Sequence, residues 1–379
     1  MTERNHDSPV TRESRLSAPP LSPHLAAIWG AFLHEGVMLN KERGTRLLEI
    51  WGNGCIELIR TLFHPLAEAT WRNGVRLGPG DDCAIQSVPS GCELVFSIDT
   101  LVEGVHFPKD CPAAELGYRA LAVAVSDLAA MAASPLGFTL ALSLPQATPG
   151  WLQAFSSGLA DAARDAGINL IGGDTTRGPL NIGVTVIGQV PAGQALTRSG
   201  ARPGDLLCVG GSLGDGAAGL EVVLGKPLPA GLPMAAQDYL HRRFWRPLPQ
   251  LALGQLLRGV ASAGLDISDG LLADAGHIAS ASGVRLLING PQLPMSDALR
   301  SWSERQQLDW MLRGGDDYVL LFTLPRAARS QLERWRAAGH AVCVIGEVQG
   351  GQGVQLDLGL GPKPIDGPGG YQHFRSTDD

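Results

Sequence analysis

The chain has 379 residues, 44% hydrophobic and 18% charged, with a formal net charge of −7. That length accommodates two packed domains, and an acidic balance without a basic stripe interleaved with aromatics argues against a general nucleic-acid binder. No run of about 18 apolar residues occurs, so no membrane-spanning helix is expected; Cys55, Cys83, Cys92, Cys111, Cys208 and Cys343 are scattered without CxxC or zinc-finger spacing and read as reduced thiols of a cytoplasmic protein.

Residues 1–23 mix Arg, Glu, Asp, Ser and Pro without an apolar core, which reads as a disordered tail and not as a secretory signal. The weakly apolar stretch from His24 to Met38 fits an added helix, or chain that precedes the true start, so 1–51 is set apart as an N-terminal extension. From about Gly52 strands and helices alternate. Gly78 and Gly80 flank Pro79 ahead of Asp81 and Asp82, a turn that fits either an ordinary acidic β-turn or a pair of cation ligands. Cys92 to Val102 (CELVFSIDTLV) has the β-branched, apolar character of a strand. Asp99 interrupts it, a costly placement unless the charge is paired or bound to metal. His106 follows closely enough to reach the same face, although a structural role is the simpler account of a lone histidine. Ala113 to Ala133 is an Ala/Leu helix expected to be buried, so Asp127 within it needs a cation or several donors; Ser126 beside it cannot neutralise a charge.

A strand over 137–145, a helix over 149–167 opened by Pro149 and a short strand over 168–174 follow. Gly172 to Arg177 (GGDTTR) reads as a phosphate-binding loop, with flexible backbone at Gly172 and Gly173, hydroxyl donors, Asp174 for metal and Arg177 for phosphate. After a strand over 181–191, breakers across 191–204 put a domain boundary near Thr197. The alternation then resumes with a strand at 205–211, a helix at 214–225, a helical pair within 234–263 and strands at 284–290, 318–325 and 341–348. Asp266, Ser268 and Asp269 stand at a strand-to-helix junction, where Ser268 or Asp269 can cap a helix beginning at Gly270 and phosphate can be drawn to its N-terminus. Asp316 and Asp317 follow Gly314 and Gly315 before another apolar strand. Recurrent aspartates beside Gly, Ser or Thr point to a metal-nucleotide site. No GxxxxGK[ST] loop, kinase HRD or DFG set, or HExxH pair is present, so nucleotide binding here would rest on divalent metal.

In this order, GDDCA, SIDTLVEGVHF, AVSDLAAMAA, LIGGDTTRG, LTRSGARPGD, LGDGAAGL, LDISDGL, GGDDY and GYQHF closely resemble the thiamine-monophosphate kinase family, within the larger group related to aminoimidazole ribonucleotide synthetase. The resemblance runs from about Cys55 to Phe374. It implies a two-domain PurM-like fold, with an α/β domain over 52–197 that forms a dimeric β-barrel, an α+β domain over 198–375, and a tail at 376–379. It also implies a cytoplasmic homodimer without nucleic-acid or membrane partners. Its activity would be ATP-dependent phosphorylation of thiamine monophosphate to thiamine diphosphate, the last step of that biosynthesis, by in-line transfer with several Mg2+ ions. By the same correspondence Asp82, Ser97, Asp99, Asp127, Asp174, Asp266 and Asp269 share the magnesium ions. Ile98 stands where many relatives have Thr and would contribute its backbone carbonyl. Gly173, Asp174, Arg198 and Ser268 would contact ATP; His106, Asp316 and Tyr371 would contact thiamine monophosphate; Asp99, Asp127 and Asp174 form the catalytic set. Asp316 departs from the Glu of GGEDY in relatives, so its shorter side chain would reach substrate through water or shift its pose. The alternatives are another ATP-using enzyme of the same group and a non-catalytic metal-nucleotide sensor, against which retention of the acidic ligands speaks.

Overall fold

The computed structural model describes residues 59–71, 74–79, 82–365 and 369–371. The expected N-terminal extension, Asp81 and the tail lie outside those residues. A short helix α1 (His64–Thr70) and a ribbon of β1 (Val75–Leu77) and β2 (Ile85–Gln86) lead into a four-stranded sheet. In chain order its elements are β3 (Cys92–Val102), α2 (Ala113–Ala130), β4 (Ser134–Leu144), α3 (Pro149–Ala166), β5 (Asn169–Arg177) and β6 (Asn181–Pro191), and the strands lie in the order β3-β6-β4-β5. β3 and β6 pair antiparallel along their whole length, from Cys92 opposite Pro191 to Val102 opposite Asn181. β4 and β5 run parallel, which requires a crossover, and α3 supplies it. Pro149 opens that helix, and Gly167 at φ 64° closes it in the left-handed conformation that glycine adopts at least cost.

One face of this sheet is covered by α2 and α3. Leu116, Leu121 and Leu128 of α2, Phe138 of β4, and Phe155 and Leu159 of α3 are fully buried in one core. The two helices meet backbone to backbone, because a Cβ at Gly117 would land on the Phe155 carbonyl and one at Gly158 on the Ala114 carbonyl. α2 ends at Ala130, short of the expected Ala133. Ala132 takes φ 56°, the Ala133 N–H turns back to the Leu128 carbonyl at 2.8 Å, and Arg258 Nε donates to the Ala132 carbonyl at 3.0 Å.

The second sheet has seven strands. Its elements are β7 (Leu206–Val209), α4 (Asp215–Val223), α5 (Met234–Trp245), α6 (Leu251–Leu257), β8 (Ala263–Asp266), α7 (Leu271–Ser282), β9 (Arg285–Asn289), α8 (Glu304–Arg313), β10 (Leu320–Leu324), α9 (Ser330–Ala337), β11 (Cys343–Gln349), β12 (Gly353–Asp357) and β13 (Lys363–Pro364). The order is β13-β12-β9-β11-β7-β10-β8, antiparallel except where β12 joins β9. The C-terminal end of α2 enters this half as well: Ala129 and Ala130 share a core with Leu253, Leu257 and Phe322. A helix buried from both sides explains the all-round apolar character of α2, and it brings Asp127 to the seam between the sheets. Among the described residues no helix is long and apolar enough to cross a membrane.

Two expectations are corrected. Gly172 to Arg177 is not a loop but the second half of β5, in register with β4 from Thr139 to Leu144. Parallel pairing with β4 takes up the backbone groups on that side of this edge strand and overrides the loop-like composition. The helix after Asp266 begins at Leu271 without a side-chain cap from Ser268 or Asp269.

Candidate active site

Three carboxylates from three elements converge at the seam. Asp99 comes from β3, Asp127 from α2 and Asp266 from the end of β8. Ser97 Oγ donates to Asp127 Oδ2 at 2.5 Å, and the wholly buried Ser126 Oγ donates to Asp266 Oδ2 at 2.6 Å. Burial, and then the charges of Asp127 and Asp266, push the Asp99 carboxyl up from 3.8 to about 7. Asp266 is pushed to about 6 by burial and by the charge of Asp127, against the bond from Ser126. Asp127 is raised by burial, opposed by the Ser97 bond and the positive charge of Arg198. The acidic charge thus exceeds what nearby protein donors neutralise, so the donor set fits a hard divalent cation such as magnesium. Among the described residues no three His, Cys, Asp or Glu side chains close into a ready-made cage. Magnesium needs none, since one or two carboxylates, waters and substrate phosphates complete its shell.

The β8-to-α7 junction is built by Asp274. Its Oδ2 accepts the backbone N–H groups of Ser268 and Asp269, both at 3.1 Å, and of Gly270 at 3.2 Å. A carboxylate from inside the first turn thus takes the N–H groups that a phosphate at this junction would otherwise receive. Burial, with the charges of Asp269 and Asp266, raises the Asp274 carboxyl to about 7. The 268–269 backbone is also where two distant segments dock. Asp316 N–H donates to the Ser268 carbonyl at 2.9 Å, and Tyr371 N–H donates to the Asp269 carbonyl at 3.0 Å.

In the loop that carries Asp316, the two aspartates divide their tasks. Asp317 is buried and accepts the N–H groups of Gly214 at 2.7 Å and Gly216 at 2.9 Å, which fastens the loop to the start of α4. Asp316 instead pairs with Arg119 of α2, Nη2 to Oδ1 at 2.6 Å, and its side chain keeps 26% exposure. Asp316 and Tyr318 hold φ values of 67° and 49°, left-handed conformations that cost energy in residues with a Cβ. His106 accepts the Val102 N–H on Nδ1 at 3.0 Å, so in its neutral form the imidazole proton sits on Nε2.

Other expected site residues lie apart from the carboxylate cluster. Asp99 is opposite Val184, Val184 opposite Leu140, and Leu140 opposite Gly173, one row across the sheet. Asp174 is the next residue along β5 and is exposed; by the alternation of the pleat it leaves from the opposite face to Asp99. The Ile98 side chain also leaves from that face, 63% exposed. Asp82 is exposed in the bend before β2.

Both halves match family models: the AIR synthase related protein N-terminal domain over residues 80–190 and its C-terminal domain over residues 202–359. The thiamine-monophosphate kinase of Escherichia coli (strain K12) is 48% identical over 270 residues, which cover 71% of this chain and 82% of that one. The chain belongs to the thiamine-monophosphate kinase family. A crystal structure of the Stenotrophomonas maltophilia K279a thiamine-monophosphate kinase superposes with a TM-score of 0.74 at 44% identity, covering 78% of this chain and 95% of that one. "AaThiL complexed with AMPPCP and TMP" superposes with a TM-score of 0.68 at 32% identity, over 76% and 89% of the two chains. The kinase-family fold is thus the two-domain PurM-like architecture expected, one sheet in each half.

Arg119, Ser126 and Asp274 were not among the residues expected to build this kinase-family site. Arg119 had a visible signal, the lone basic residue of α2. The partners of Ser126 and Arg119 lie 140 and 197 residues away, and no local pattern announces them.

Proposed function

We propose that this chain transfers the γ-phosphoryl group of ATP in line to the phosphate of thiamine monophosphate, giving thiamine diphosphate and ADP. The observation that carries the reading is the convergence of Asp99, Asp127 and Asp266 from β3, α2 and β8, with Ser97 and Ser126 orienting two of them. Family membership, and a 32% identical protein complexed with AMPPCP and TMP, support the choice of both substrates.

Asp99, Asp127 and Asp266 would hold magnesium, with Asp82, Asp174, Asp269, Ser97 and the Ile98 carbonyl as the wider donor set. When bound, magnesium supplies the charge neutralisation that lets two anionic phosphates approach. Because the acceptor is already an anionic phosphate oxygen, no side chain has to remove a proton from it. The chain's own residues bind and orient. Gly173, Asp174, Arg198 and Ser268 would contact ATP, Arg198 through its positive charge beside Asp127 and Asp266. His106 would donate from Nε2, while Asp316 and Tyr371, docked on neighbouring carbonyls at 268 and 269, would hold the rest of the acceptor. Fixed placement of donor and acceptor, together with charge neutralisation, carries such catalysis.

The reading extends to a cytoplasmic homodimer, each subunit with an N-terminal domain over 52–197 and a C-terminal domain over 198–375. Leu94, Phe96 and Ile98 expose an apolar row on the open face of β3, which suits the pairing of two sheets into a barrel.

The test is product formation from thiamine monophosphate, ATP and magnesium, resolved by chromatography, with thiamine as the control acceptor. Thiamine diphosphate from the monophosphate alone is expected. ADP without product would move the assignment to a sister ATP-using enzyme, and no ADP at all would favour a sensor.

A further inference from the structure

We propose that Arg119 is a positioning residue for the acceptor end of the site: it never touches substrate, but aims the Asp316 carboxylate that does. This rests on the reading above, in which Asp316 faces thiamine monophosphate.

Arg119 is 2% exposed, so no ligand in the cleft can reach it directly. Its guanidinium lies 4.1 Å over the Phe244 ring, Nη1 donates to the Phe244 carbonyl at 2.6 Å, and Nη2 donates to Asp316 Oδ1 at 2.6 Å. Tyr318 Oη donates to the same Oδ1 at 3.1 Å. Both donors converge on one oxygen, so Oδ2 takes neither, on a side chain that keeps 26% exposure. A carboxylate held this way is a fixed acceptor for a donor group on a substrate, aimed by two planar groups that cannot rotate independently.

The loop does not adopt this shape for its own sake. Asp316 and Tyr318 both carry positive φ, at 67° and 49°, and the loop is held down by bonds from Asp316 N–H to Ser268 and Tyr318 N–H to Ile267. Such strain persists where surrounding structure over-determines it. The ion pair, buried at its Arg119 end, is part of that surround, and burying a guanidinium for packing alone would be wasteful, since an apolar side chain fills the same space without desolvating a charge. Arg119 Nε has no hydrogen-bond partner although buried, which shows how much of the side chain is committed to its two contacts through Nη1 and Nη2.

The helix supplies the register. Arg119 and Asp127 stand on α2 eight residues apart, about 12 Å along the axis at the usual helical rise. Near its C-terminal end this rigid element holds a carboxylate of the metal-type cluster, and about two turns earlier it holds the group that aims Asp316. α2 therefore sets the distance between the phosphoryl-transfer point and the far end of the acceptor.

A double-mutant cycle tests this, with KM for thiamine monophosphate, KM for ATP, kcat and Tm measured on the full chain. Lys keeps the charge of Arg119 but cannot span the Phe244 carbonyl and Asp316 Oδ1 together. Arg119→Lys is expected to raise KM for thiamine monophosphate about tenfold while KM for ATP stays within about twofold. In an Asp316→Asn background the same Arg119→Lys change is expected to add less than about twofold, because Arg119 acts only through Asp316. Effects that multiply independently would overturn the proposal, as would parallel changes in every constant that merely follow Tm. If Arg119→Lys does not fold, Arg119→Met combined with Asp316→Asn removes both charges together, and its KM for thiamine monophosphate should match that of Asp316→Asn alone. A larger difference than about threefold again overturns it. An active wild type whose KM does not respond to Asp316→Asn removes the substrate role of Asp316 and the proposal with it. A wild type that forms no thiamine diphosphate removes the functional reading itself.

Discussion

Ser126 Oγ, fully buried in α2, donates a 2.6 Å hydrogen bond to Asp266 Oδ2 at the end of β8. The bond crosses the seam between the two sheets and holds one carboxylate of the cluster from behind. Removing the hydroxyl leaves a buried carboxylate short of a donor, which costs about 1–3 kcal/mol. Ser126→Ala should therefore lower the denaturant midpoint without changing the m-value, and activity should fall because Asp266 is no longer fixed. An unchanged midpoint would mean the bond contributes nothing to the join.

The cluster makes stability depend on pH in a direction set by its raised carboxyls. Asp99 at about 7 and Asp266 at about 6 bind protons in the folded protein that the unfolded chain, at the ordinary 3.8, has already released. Between those values the folded state carries more protons, so stability falls as pH rises and the loss is complete above about pH 7. Asp274 and Asp317, also raised to about 7, act in the same direction. Metal-free protein should lose Tm from about pH 4 to about pH 7. Magnesium should restore it at the upper end, where the carboxylates are ionised, and do little at the lower end. Asp99→Asn isolates the cluster's share: it should raise the metal-free Tm at about pH 8, blunt the magnesium response and abolish turnover. A magnesium response equal to that of the wild type would remove Asp99 from the cation site.

Much of this arrangement could be read before the structure, and the rest has identifiable reasons for being hidden. Asp99 in an apolar strand and Asp127 in an apolar helix are conspicuous because burial penalises a lone charge, and both do belong to the cluster. Gly172 to Arg177 has the composition of a loop, yet its backbone is claimed by β4, a long-range pairing that local propensity cannot express. At the β8-to-α7 turn, Ser268 and Asp269 both carry the usual N-cap chemistry. Neither caps the helix, because Gly270 stands at the N-cap position, and the N–H groups of 268–270 are fixed by Asp274 from the first turn. Arg119 is the lone basic residue of α2, but its meaning lies in Asp316 and Phe244, which only folding brings beside it.

The closeness of α2 and α3 is a further requirement of the site, since α2 carries Arg119, Ser126 and Asp127. Gly158 faces the Ala114 backbone with no room for a Cβ, and backbone cannot step aside as a flexible side chain can. Gly158→Ala should destabilise the fold by about 1–3 kcal/mol and lower kcat by displacing α2. Gly150, in the same helix with nothing within 4 Å of its would-be Cβ, is the control. Gly150→Ala should be neutral or stabilise by up to about 1 kcal/mol. Equal behaviour of the two variants in chemical denaturation would rule out the close helix contact.

The open face of the first sheet is apolar along β3. Phe96 is 73% exposed, Ile98 63% and Leu94 50%, three large apolar side chains at alternate positions of one edge strand. Single exposed apolar residues need no explanation, but a contiguous row on an edge strand invites association and is normally covered. The proposed dimer covers it with a second copy of the same sheet, in which each row meets its symmetry mate. A charge at the centre of the row would have to be desolvated twice in such an interface, once from each subunit. Light scattering coupled to size exclusion should give the wild type twice the 39.9 kDa chain mass at micromolar concentration, and Phe96→Lys a single chain mass. Because Phe96 points away from Asp99 and Asp127, the variant also separates assembly from the cluster. Its magnesium-dependent gain in Tm should persist if one chain's carboxylates suffice to bind the ion, and vanish if Asp174, on the open face, has to be supplied across the interface. A monomeric wild type would remove the dimer, and a Phe96→Lys protein that stays dimeric would put the interface elsewhere.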